Sequence, residues 1–215
     1  MSLELDHLFF FVESQAQAEA WVSALGLSES YRRKHPGQGT ENICCCFNNA
    51  YLEFLWVNNV DEVLSRQTAP LGFAARADWS LLGSAPIGIA VRSNVEPLPF
   101  ETWDYRPDYL PDGVNIPMSI PVALGSEDGR QPLIFAPPMG ARPDQWTGDR
   151  AVPINTAVLT AVEVLLPVGI EPSASLAQLE TLGLVALSLG QMQWGLTLIL
   201  DEGDAFPTEL SLPIW

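Results

Sequence analysis

The residues able to do chemistry in this chain are few, and most stand close together. One of its two histidines, His7, lies in the apolar run LELDHLFFFV (3–12); the other, His35, leads HPGQGTEN (35–42). Arg32, Arg33 and Lys34, the only lysine, directly precede His35. Cys44, Cys45 and Cys46 follow, and then Glu53 in YLEFL (51–55). A histidine titrates near neutrality and serves as acid, base or metal ligand. A carboxylate inside an apolar strand is costly unless it is paired or bound. His35 opens a turn whose Gly37 and Gly39 permit positive φ and a close approach of backbone to a ligand. That makes it a candidate acid, base or donor at a pocket rim, with Thr40 and Asn42 as hydrogen-bonding groups; the alternative is a plain surface turn. An inward Arg32 or Arg33 would hold the carboxylate or phosphate of a small ligand. An outward one would only blunt a strand edge. The cysteines alternate across a strand, so Cys45 faces away from Cys44 and Cys46. With no Cys-x-x-Cys spacing they read as buried strand residues.

These residues need elements to hold them. The run 3–12 is short and aromatic enough for a buried strand, and alternation places Leu5, His7, Phe9 and Phe11 on one face. QAQAEAWVSALGL (15–27) has helical spacing, with Ser14 as N-cap and Gly26 at its end. ESYRRKH, NICCCFN and AYLEFLWV (50–57) follow as strands, the last two joined by a reversal at Asn48-Asn49. Short helical character appears at 60–67, and PIGIAVRS (86–93) and QPLIFAPP (131–138) read as strands. Prolines at 97, 99, 107, 111, 117 and 121 restrict the stretch between them to edge strands and loops. From 158, strand, helix, strand, strand recurs over 158–167, 173–184, 185–191 and 194–203, and the last residues read as a packed tail. The expected organisation is 1–138 as one module with irregular middle strands, 139–157 as a connection, and 158–215 as a C-terminal repeat module in the same domain.

A chain of 215 residues, 47% hydrophobic and 17% charged, folds around a sizeable core. Its formal charge of −16 argues against nucleic acid and anionic membranes, which demand clustered cations. No apolar run is long enough to span a bilayer, and the N-terminus lacks a signal-peptide pattern. Adjacent, odd-numbered cysteines fit a reduced, cytoplasmic setting. No Gly-x-Gly-x-x-Gly, Walker or Gly-x-Ser-x-Gly pattern occurs.

A strand bearing LDH, a helix, and three strands ending in YLEFL resemble the first module of the vicinal-oxygen-chelate, or glyoxalase/bleomycin-resistance, superfamily. The HPGQGTEN run resembles its glyoxalase-like domain subgroup. The resemblance implies an α+β fold of paired βαβββ modules forming a cupped mixed sheet around a site. It places His7 and Glu53 at metal-ligand positions for a divalent ion such as Zn, Mn, Ni or Fe. The two further ligands would come from the partner module. If that module is the C-terminal repeat, the matching positions are Ala161 and Thr197, and only Glu163 offers a carboxylate. If it is the middle region, 86–93 and 131–138 offer no His, Asp or Glu. The site expected from this resemblance is therefore incomplete. The expected function is binding of a small organic molecule in the cup, an anion if Arg32 or Arg33 points inward, with isomerase, lyase or dioxygenase chemistry if it is transformed. The alternatives are a non-catalytic binding or sequestering protein and a scaffold or homodimerisation domain.

Overall fold

The computed structural model describes residues 3–93, 97–109, 118–138, 140–203 and 206–214. The N-terminal aromatic run forms strand β1 (Leu3–Phe11). Helix α1 (Gln15–Ala24) starts at Ser14, whose side chain accepts from the Gln17 N–H, and the chain reverses at Gly26 with φ 69°. Strands β2 (Tyr31–His35), β3 (Thr40–Cys46) and β4 (Tyr51–Val57) complete a βαβββ module. Three short helices follow: α2 (Val60–Val63), α3 (Phe73–Ala77) and α4 (Trp79–Leu82). Then come β5 (Ile87–Ser93), β6 (Thr102–Tyr105), β7 (Ile120–Ala123) and β8 (Leu133–Phe135).

These eight strands form one sheet in the order β2-β3-β4-β1-β5-β8-β7-β6. Its two halves repeat one topology. In the first, β1 pairs parallel with β4; in the second, β5 pairs parallel with β8, and β7 and β6 continue outward. The central strands β1 and β5 are antiparallel neighbours. The second unit is thus the middle region, and among the described residues no helix stands between β5 and β6.

The C-terminal segment is a different unit. Strand β9 (Val158–Pro167), helix α5 (Ala174–Thr181), β10 (Ala186–Gln191), β11 (Gly195–Asp201) and β12 (Thr208–Leu212) make a separate four-stranded sheet, β10-β9-β11-β12. Here the parallel partner of the first strand is the strand right after the helix, not the fourth. The sequence reading of 158–202 as a copy of the N-terminus is therefore corrected. Hydrophobic periodicity reports which face is buried and not which strand pairs with which. The expected tail also contributes a strand, β12, paired with β11.

Two cores result. The outer face of the large sheet (Leu8, Phe10, Ile43, Cys45, Phe54, Ile89) packs on α1 and on Val162, Val164 and Leu198 of the small sheet. The other face curls into a cup filled by Phe9, Phe11, Leu55, Leu71, Phe73, Val122 and Leu133. Arg76 ties the cup's helical cover to the second half. Fully buried, it donates to the carbonyls of Leu71, Ala85, Ser126 and Gln131. Among the described residues no helix is long and apolar enough to cross a membrane.

Candidate active site in the cup

A β-bulge sets the first functional residue. The β1–β5 register slips between Leu5 and His7, leaving Asp6 as the extra residue. Below the slip, Leu3 and Leu5 pack toward the outer core; above it, Phe9 and Phe11 fill the cup. Leu5 therefore does not share a face with His7, as simple alternation would have it. The bulge also brings two consecutive side chains together. Asp6 Oδ1 lies 2.7 Å from His7 Nδ1, and both residues are buried. Asp6 Oδ2 accepts from Arg92 at 3.0 Å, and Arg92 in turn reaches Glu4 and the carbonyls of Leu5 and Asn49. A carboxylate held by Arg92 accepts from Nδ1–H, which leaves the Nε2 lone pair of neutral His7 facing the cup.

Glu53 stands across from it. On β4 it is in register with Phe9 of β1 and Cys44 of β3, and its Oε1 lies 3.9 Å from His7 Nε2. Cys44 donates its thiol to the same oxygen at 3.7 Å. Burial pushes that thiol well above its ordinary pKa, so it is a donor and not a nucleophile. The Tyr51 ring stacks on His7 at 4.4 Å, and Phe135 meets it edge-on at 5.3 Å.

His35 closes the other end. Strand β2 alternates, so Arg33 and His35 line the cavity. Arg32 turns away instead, bonded to Glu29 and to Glu19 of α1. Arg32 is thus not a site residue; strand alternation admits only Arg33. Thr40 and Asn42 sit behind the wall. Thr40 Oγ1 is 3.0 Å from His35 Nδ1, and Asn42 Oδ1 accepts the backbone N–H of Arg33. Both are supports, not ligand contacts. The turn glycines serve the chain itself: a Cβ on Gly39, where φ is 76°, would lie 2.2 Å from the Asn59 carbonyl. Burial first, then Arg33, then His7, holds the His35 pKa down to about 4. It is therefore a neutral ring at physiological pH.

The cavity enclosed by these groups measures about 140 Å³. One side is polar, with His7, Glu53, His35, Arg33, Gln38 and Tyr109. Gln38 Oε1 accepts from the hydroxyls of Tyr105 and Tyr109, and its amide donates to Thr40. Burial pushes both phenols upward, Tyr105 to about 12, so they stay donors. The other side, from β7 and β8, presents Ile120, Val122, Leu133 and Phe135.

That wall decides the metal question. Among the described residues the second half brings no nitrogen or carboxylate donor opposite His7 and Glu53. Glu163 is on the small sheet, paired with Thr197 and facing away from the core, and cannot supply one. Among the described residues no group of three His, Cys, Asp or Glu could hold a metal ion. The donor set does not fit the four-ligand centre that the resemblance implies.

Sequence reasoning missed Asp6, Gln38, Tyr51, Tyr105 and Tyr109. Asp6 adjoins His7 in the sequence, but only the bulge turns it to the same side. Tyr109 lies in the proline-dense stretch that gave no pattern.

Two halves of like strand order share one sheet and curl around one cup, as in the glyoxalase/bleomycin-resistance-like fold. Residues 5–95 match the glyoxalase-like domain family. No curated protein matches it. Similar solved structures include a hypothetical protein from Bacillus halodurans, 16% identical, covering 63% of this chain and 94% of its own at a TM-score of 0.43. A Streptomyces coelicolor methylmalonyl-CoA epimerase variant in complex with 2-nitronate-propionyl-CoA is 14% identical, covering 64% and 100% at 0.41. A hypothetical protein from Staphylococcus aureus is 13% identical, covering 97% and 85% at 0.43.

Proposed function

We propose that the cup binds a small organic molecule and that His7 and Glu53 move a proton on it. The observation that carries this reading is the convergence of His7 Nε2 and Glu53 Oε1, 3.9 Å apart, on one small cavity. Asp6 positions His7 by fixing its tautomer. His7 takes up the proton at Nε2, and the carboxylates of Asp6 and Glu53 flank the ring. Glu53, 3.9 Å from Nε2, accepts that proton from the imidazolium and returns it to the substrate, so both groups end as they began, and His35 donates a neutral hydrogen bond to a substrate oxygen. This is isomerase or lyase chemistry beside a carbonyl, carried by side chains, because the donors among the described residues do not fit a four-ligand metal.

The apolar second half favours a second reading, in which the cup holds a ligand without transforming it. The two separate in deuterium oxide. Carbonyl compounds that bind, as judged by NMR shifts of His7, are followed for hydrogen exchange at the carbon next to the carbonyl. Exchange by the wild type, lost in Glu53→Gln and His7→Asn with binding kept, is the expected outcome. Binding with no exchange in any compound leaves the sequestering protein. We assign residues 1–138 to the cup-forming unit, 139–157 to a connection and 158–215 to an appended sheet in the same domain. The three free, buried cysteines fit a cytoplasmic setting.

A further inference from the structure

Most cations in this acidic chain are already matched. Arg32 is bonded to Glu19 and Glu29, Arg92 to Glu4 and Asp6, Arg130 to Asp128, and Arg142 to Glu4. Arg76 is spent on four carbonyls. Arg33 lines the cup, and among the described residues its guanidinium makes no hydrogen bond or ion pair. Its charge is felt by His35 and Tyr109, which places it at their end of the cavity. Against 26 acidic and 10 basic residues, a guanidinium without a carboxylate partner beside a cavity is a site awaiting an anion.

The same surroundings fix the anion's charge and size. The other polar groups at that end, His35, Gln38, Tyr105 and Tyr109, are neutral donors and acceptors. Glu53 lines the same cavity. With Glu53 in the same cavity, Arg33 is the one cation there among the described residues, and each further negative charge on the ligand is repelled by Glu53, so a monoanion suits the cavity better than a dianionic phosphate. A cavity of about 140 Å³ compares with the roughly 150 Å³ that takes up one benzene ring. Its far wall of Phe9, Phe73, Val122, Leu133 and Phe135 is apolar and largely aromatic.

We propose that the ligand is a compact monocarboxylate, its carboxylate on Arg33 at the rim and a body of about one ring's size against the apolar wall. This rests on the reading of the cup as a ligand site and names the class that fits it.

The test uses the full chain and four probes: benzoate, its neutral counterpart benzamide, phenyl phosphate and the three-ring 9-anthracenecarboxylate. With two histidines in the protein, the ring NMR signals of His7 and His35 report cup binding directly. Benzoate is expected to shift both and to bind about tenfold to a hundredfold tighter than benzamide, the worth of a charge-assisted hydrogen bond. Phenyl phosphate and the three-ring acid are expected to bind more weakly than benzoate. Arg33→Gln, an exposed position with no fold-stabilising partner, should erase the benzoate preference and leave the urea midpoint unchanged. Benzamide binding as well as benzoate, or a preference that survives Arg33→Gln, overturns the carboxylate class while leaving the cup a ligand site. Phenyl phosphate or the three-ring acid binding tightest overturns the charge or size limit. No probe moving either histidine overturns the cup reading and this proposal together.

Discussion

His35 links the cup to acid stability, and the link has a sign and a size. Only 8% of the residue is exposed, and its pKa falls from the ordinary 6.5 to about 4. Burial is the main cause, with the charges of Arg33 and His7 behind it. In the unfolded chain the ring takes up its proton near pH 6.5, whereas in the native state it does so only near pH 4. Between those values the unfolded state binds more protons, so stability is full above pH 6.5 and declines as pH falls. A gap of about 2.5 units corresponds to about 3 kcal/mol, of which about 2.5 kcal/mol is lost by pH 4.5. Urea unfolding of wild type and His35→Gln at pH 7.5 and pH 4.5 isolates this contribution. Glu4, Glu29 and Asp128, whose pKa values are lowered, also weaken the fold in acid, but equally in both proteins. The wild type should therefore lose about 2.5 kcal/mol more than the variant over this interval. Equal losses in the two proteins, or a native His35 titrating near 6.5 by NMR, would refute the burial argument.

Three further outcomes follow from the same geometry. Asp6→Asn removes the carboxylate from a buried pair with Arg92 and should cost on the order of 3 kcal/mol in urea, with the nitrogen shifts of His7 reporting a mixed tautomer; an unchanged Nδ1–H tautomer would show that Asp6 does not position the ring. Arg76→Met leaves four buried carbonyls without their donor and should lower stability by about 4 kcal/mol, read as a drop in thermal midpoint. A Cβ at Gly88 would sit 2.0 Å from the Phe9 ring. Gly88→Ala should thus drive Phe9 into the cavity, cost about 1–3 kcal/mol and abolish ligand shifts at His7; binding equal to wild type would show that Phe9 can yield elsewhere.

The first module was legible because its signals are local. Ser14 and Gly26 bracket α1, Asn48-Asn49 turn the chain, and alternation correctly splits Cys45 from Cys44. Alternation also pairs His7 with Glu53, since both lie on cup-facing registers of neighbouring strands. What failed was non-local. Nothing in PIGIAVRS or QPLIFAPP says that β5 and β8 become parallel neighbours across the Pro97–Pro121 stretch. The C-terminal segment carries the louder strand-helix-strand pattern, yet its hydrogen bonds close on themselves in a second sheet. The bulge at Asp6 was equally hidden, because only the partner strand reveals an extra residue.

The bulge and the apolar second half bear jointly on what the cup can do. Had β1 run regularly, Asp6 would face the outer core and His7 would meet the cup without an orienting partner. The slip gives His7 a buried carboxylate on one nitrogen, and Glu53 stands 3.9 Å from the other. Across the cavity, Gly88 makes room for the Phe9 ring, and Leu133 and Phe135 continue an apolar surface. The charged and acid–base groups of the cup therefore come from the first half, while the second adds the neutral hydroxyls of Tyr105 and Tyr109 and much of the apolar wall. A ligand with a polar group at each end has nowhere to place one of them, whereas a molecule with one charged end and an apolar body satisfies both walls at once.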